Sequence, residues 1–80
     1  MIDLKQYHSI INVTWQFLKK HAERLPLTDD EWNDVCAECS EICAPYAGTE
    51  HEMFVRLLMV RVIMPELERL DRRARIEEAF

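Results

Sequence analysis

The chain reads as an all-α protein: three helices running up, down and up, the third kinked or broken at Pro65. Three observations carry this. Two helix-start signals, Thr28 with Glu31 and Thr49 with Glu52, have the spacing of a capping box, and each precedes an apolar run of helical period. The three prolines and the single glycine stand where those runs would end or bend. The connections Leu25–Thr28 and Ala44–Thr49 are short, which favours antiparallel neighbours. With 80 residues and 49% hydrophobic side chains, residues 1–80 read as a single helical domain near the lower end of what folds alone.

The first helix is expected over about Leu4 to Arg24. Asp3 can cap it, and Ile2 and Tyr7 stand at the staple positions. Leu4, Ile11, Leu18 and Leu25 recur every seven residues, with Tyr7, Trp15 and Ala22 on the same face. Ile10, Val13 and Phe17 form a second, narrower stripe. Lys19, Lys20, His21 and Arg24 suit the negative end of the helix dipole, and Pro26 disfavours continuation through Leu25.

The second helix has the clearest start. Thr28 and Glu31 can exchange side-chain and backbone bonds, Leu27 and Trp32 can close a staple, and Asp29, Asp30 and Glu31 favour the first turn. Trp32, Val35, Cys36, Cys39, Ile42 and Cys43 make one apolar face opposite Asn33, Asp34, Glu38 and Glu41, so this helix is expected on the outside of the fold.

The third helix is apolar nearly all round. Met53, Leu57, Val60, Met64 and Leu67 make a main stripe, while Val55, Leu58, Met59 and Val62 occupy much of the other side. Such a helix needs cover on most sides. It is too charged to span a membrane, which takes about 20 apolar residues. Beyond Pro65, Glu68 with Arg72 and Asp71 with Arg75 have the favourable four-residue order and support a solvated helix to about Arg75.

Charge and composition narrow the function classes. A formal charge of −5 argues against a generic binder of nucleic acid or anionic membrane. The start Met1-Ile2-Asp3 has neither the basic residues nor the apolar run of a secretory leader, and three cysteines do not suggest a disulfide framework. A cytoplasmic protein is expected.

Cys36, Cys39 and Cys43 have the spacing C-x2-C-x3-C, and with His51 or His8 as a fourth ligand they could hold zinc. On a helical wheel the three sulfurs fall on the apolar face, where free cysteine packs as a small hydrophobe, and that reading is preferred. His8, His21 and His51 share no motif spacing, and no nucleophile–base pair or phosphate loop is present, so neither an enzyme nor a cofactor is expected. Arg69, Arg72, Arg73 and Arg75 could meet phosphates, but Glu66, Glu68, Asp71, Glu77 and Glu78 are interleaved with them.

The leading expectation is therefore a small non-enzymatic helical protein-interaction module, a homodimer or a subunit of a larger complex. The surplus apolar positions on helices 1 and 3 supply its candidate interface: Ile10, Val13, Phe17, Val55, Leu58, Met59 and Val62. The alternative is a regulator that contacts nucleic acid through Arg69–Arg75. A metal-binding protein using Cys36, Cys39 and Cys43 comes third.

Overall fold

In a computed structural model, which describes residues 2–79, three helices form an up-down-up bundle with no strand among those residues. The first, α1, runs Leu4–Ala22; the Asp3 carboxylate accepts the Gln6 N–H at 3.3 Å. It stops two residues earlier than expected, in a turn where Arg24 N–H donates to the His21 carbonyl. The peptide bond Leu25–Pro26 is cis.

The second helix, α2, runs Asp29–Cys43 and has the capping box read from its sequence. Thr28 Oγ1 accepts the Glu31 N–H at 3.2 Å, and Glu31 Oε1 accepts the Thr28 N–H at 3.0 Å. Bonds to the carboxylate from the Thr28 backbone N–H and hydroxyl hold the Glu31 carboxyl below its ordinary range, helped by the Arg24 guanidinium. Leu27, at the staple position, is fully buried.

A 3-10 turn, Ala44–Tyr46, leads to Gly48, whose φ of +78° lies in the left-handed region that residues with a Cβ avoid. Here the expected cap is displaced. Thr49 Oγ1 donates to the Tyr46 carbonyl and accepts the His51 N–H, while the Glu52 carboxylate accepts from Gly48 N–H. The helix consequently begins at Glu52, not directly after Thr49.

The third helix, α3, covers residues 52–79 in three parts: α-helical Glu52–Leu57, π-helical Leu58–Ile63 and α-helical Met64–Ala79. It does not break at Pro65. The irregularity lies in the turn before the proline, where Met64 N–H donates five residues back to the Met59 carbonyl. The helix also continues past Arg75, to Ala79. Of the two expected ion pairs only Asp71–Arg75 is present among the described residues; Arg69 pairs with Glu66, and Arg73 with Glu77.

The wide turn explains which side of α3 is inside. His51, Val55, Met59, Ile63, Leu67 and Asp71, each four residues after the last, are all buried. In an unbroken α-helix a four-residue step overshoots a full turn by about 40°, so these six would wind roughly 200° round the axis. A π turn holds more residues per turn and brings the later positions back onto one face.

The core face of α1 is likewise not the heptad face. Ile10, Thr14, Phe17 and His21 are buried, whereas Leu4, Ile11 and Trp15 are exposed. Thr14 tolerates burial because its hydroxyl donates to the Ile11 carbonyl at 2.9 Å. On α3 the same inversion puts Val55 and Met59 in the core and Met53, Leu57 and Val60 at the surface.

Helices α1 and α3 lie parallel. Tyr7 meets the rings of His51 and Phe54 at one end, and Ala22 and Leu25 line one depression with Leu70 and Ala74 at the other. Running the opposite way along one side of that pair, α2 sets Glu38 against His21 and Trp32, in its first turn, beside Asp71. The bundle is elongated, 53 × 20 × 17 Å, and its radius of gyration of 14.1 Å exceeds the roughly 12 Å of a compact chain this long. The last turns of α3, from Arg75 to Ala79, are solvent-exposed.

Candidate protein-interaction surface

The seven residues expected at an interface separate in the structure. Ile10, Phe17, Val55 and Met59 are almost wholly buried inside the chain and cannot meet a partner without unfolding it. Their stripes are the core because they alternate with Thr14, His21 and Ile63, which the bundle also encloses. Val13 is partly exposed, but it lines a shallow depression between α1 and α2 with Ser9, Ile42 and Tyr46. Leu58 is half-buried and Val62 exposed.

Those last two, as expected, lie towards the surface, beside residues that the sequence reading placed on the main stripes of α1 and α3. Counted in fours from Phe54, which touches Tyr7, the flank of α3 facing α1 continues through Leu58 and Val62 towards Leu70 and Ala74. The facing flank of α1 runs from Tyr7 through Ile11 and Leu18 to Ala22, with Leu4 and Trp15 on its outer edge. The side of this seam away from α2 therefore carries Leu4, Ile11 and Trp15 from one helix and Leu57 and Val62 from the other. Leu4 is 73% exposed, and Ile11, Trp15 and Val62 are each 53% exposed. Together the five expose apolar side chains on the scale of the largest patch a soluble monomer leaves bare, roughly 300–600 Å².

The titratable groups with displaced pKa values are held by structural partners. Burial opposes charge on Asp71, but the Leu27 N–H at 2.9 Å, the Arg75 guanidinium at 2.8 Å and Trp32 hold its carboxyl below the usual range. Arg75 also donates to the Leu27 carbonyl. Burial likewise opposes charge on Glu38, yet bonds from His21 Nε2 at 2.7 Å and Lys20 Nζ at 3.1 Å leave its carboxyl lowered. His21, at the basic end of α1, is buried under this pair with its ring edge-on to Phe17. His51 is buried as well; its Nε2 lies 3.5 Å from Glu50, and its Nδ1 has no hydrogen-bond partner among the described residues.

The cysteines do not share one environment. Cys39 and Cys43 are half-buried against the core, but Cys36 faces solvent, contrary to the wheel. Burial pushes the Cys39 thiol up, and the neighbouring Cys43 and Cys36 add to that. Among the described residues no three His, Cys, Asp or Glu side chains converge as a metal site. No helix among them is long and apolar enough to cross a membrane. In the basic stretch Arg69, Arg73 and Arg75 each pair with a carboxylate of α3 itself.

Comparison with protein-family models, curated proteins and solved structures finds no match to this chain.

Proposed function

We propose that this chain is a small, non-enzymatic helical protein-interaction module that presents the α1/α3 seam to a protein partner, either another copy or a subunit of a larger complex. The observation that carries this reading is the seam: α2 covers one side of the α1/α3 pair, and the other side keeps Leu4, Ile11, Trp15, Leu57 and Val62 in solvent. Apolar anchors including an exposed tryptophan, with polar groups at the edge, are the composition of a recognition surface. Three thiols free of disulfides fit a reducing, cytoplasmic setting.

The test is substitution on the seam. Trp15→Glu and Val62→Glu stand at exposed positions and should change stability by no more than about 0.5 kcal/mol, while abolishing binding to the partner. A Trp15→Glu protein that still binds with wild-type affinity would remove the seam from the reading. Nucleic-acid contact through Arg69–Arg75 is disfavoured because three of its four arginines already neutralise carboxylates. A gel shift that weakens steeply with salt would favour that alternative instead.

A further inference from the structure

Two of the three thiols keep company on α2. Cys39 and Cys43 lie four residues apart within that helix, both are free, and both are half-buried against the core. Side chains in that register are neighbours, with Cβ atoms about 5–6 Å apart. Burial, and after it the Cys43 thiol, raises the Cys39 thiol, as two sulfurs side by side would. Cys36 stands out in solvent. The pair is reachable at one end, where Cys43 lines a depression with Ala47, Glu52 and Arg56 between the end of α2 and the start of α3. Glu52, the carboxylate there, already accepts from Arg56 at 3.1 Å and from Gly48 N–H at 3.3 Å. The sulfurs are therefore the ligands on offer.

We infer that Cys39 and Cys43 form a two-thiolate site for a soft monovalent cation, Cu(I). The number and kind of donors select the ion. Thiolates favour Cu(I), zinc and iron–sulfur clusters, and the last two want four ligands. Among the described residues no three His, Cys, Asp or Glu side chains converge. Hard cations such as calcium and magnesium take oxygen instead. Cu(I) is satisfied by two sulfurs in line. Distance points the same way. A disulfide needs Cβ atoms about 3.5–4.5 Å apart, closer than the helical register holds them. A metal between the sulfurs adds two bonds of about 2.3 Å, taking the zinc–thiolate length, and so spans that register without bending the helix. Loading is an exchange: each thiol gives its proton to solvent, two Cu–S bonds form, and no electron is transferred. Because two protons leave for each cation bound, affinity rises with pH.

Anaerobic competition with the coloured Cu(I) chelator bicinchoninate tests this on the full chain, with circular dichroism as the control for folding. The wild type should withdraw one Cu(I) per chain. Cys39→Ser and Cys43→Ser should each weaken binding by about tenfold or more, since even groups behind a ligand change metal affinity by about 10–100-fold. Cys36→Ser should bind as the wild type does. Alkylation of the loaded wild type, read by mass spectrometry, needs no variant to fold: Cu(I) should shield Cys39 and Cys43 and leave Cys36 to react. A wild type that binds no tighter than Cys39→Ser, or that reacts equally at all three thiols with and without Cu(I), overturns the site. Loss of binding in Cys36→Ser overturns the pair in favour of three thiolates. One ion for every two chains overturns it too, by placing the metal between copies.

Discussion

Asp71, three-quarters of the way along α3, accepts the backbone N–H of Leu27 at 2.9 Å across 44 residues of sequence. That bond fixes the loop between α1 and α2 to the third helix. Arg75, one turn further on, completes the clamp by donating both to Asp71 and to the Leu27 carbonyl. Leu27 is buried and its backbone has few ways to be satisfied; here one carboxylate and one guanidinium do it.

Removing the carboxylate should therefore be costly. Asp71→Ala leaves the buried Leu27 N–H without an acceptor and is expected to destabilise the fold by about 2–3 kcal/mol, measured by urea unfolding. Loss below about 0.5 kcal/mol would mean that water replaces the bond.

The same group sets an acid limit. The Asp71 and Glu38 carboxyls are both lowered in the folded chain. Their contributions are then present above their unfolded pKa values, near 4, and are lost as pH falls through the lower folded values. Stability should decline from about pH 4 downwards, and Asp71→Asn should flatten that decline. An unchanged slope in the variant would assign acid sensitivity to other carboxylates.

Near the same end of the bundle, His21→Ala removes a buried ring that packs on Phe17 and bonds Glu38. The expected cost is roughly 2 kcal/mol or more, from the cavity and from the partner left behind. Thermal unfolding at the wild-type temperature would contradict it.

Thr28→Ala should cost about 0.5–2 kcal/mol, because the first turn of α2 loses the acceptor for the Glu31 N–H. Denaturant titration reads this directly, and a wild-type midpoint would show that Glu31 and the acidic first turn suffice.

The thiols should react in sequence. Cys36 is exposed, whereas burial raises the Cys39 thiol and slows formation of its thiolate. Mass spectrometry of a timed alkylation should show Cys36 modified first. Equal rates at both positions would imply that α2 opens as fast as it is labelled.

The parts of this fold legible in the sequence are those governed by local chemistry. Thr28 and Glu31 lie three residues apart and need nothing else to find each other, so the start of α2 and the helix order could be read. Which stripe of each helix faces inward could not. On α1 the heptad Leu4, Ile11, Leu18, Leu25 outscores a core stripe that includes Thr14 and His21, because a threonine bonded within its own helix and a histidine whose partner lies on another helix both look like surface. On α3 a period of 3.6 was assumed where the buried positions count in fours. For both reasons Val62 alone of the five seam residues was expected at the surface, and the clue available was the unbroken four-residue series from His51 to Asp71.

That series makes α3 sensitive to length in a way that composition conceals. Delete any one residue between 58 and 63 and the amino acids on either side are unchanged, yet the half carrying Val55 and Met59 is rotated by about a quarter turn against the half carrying Leu67 and Asp71. The wide turn works as a phase adjuster: it lets one straight rod keep a single inner side along α1, where an unadjusted helix would have to coil around its neighbours to do the same.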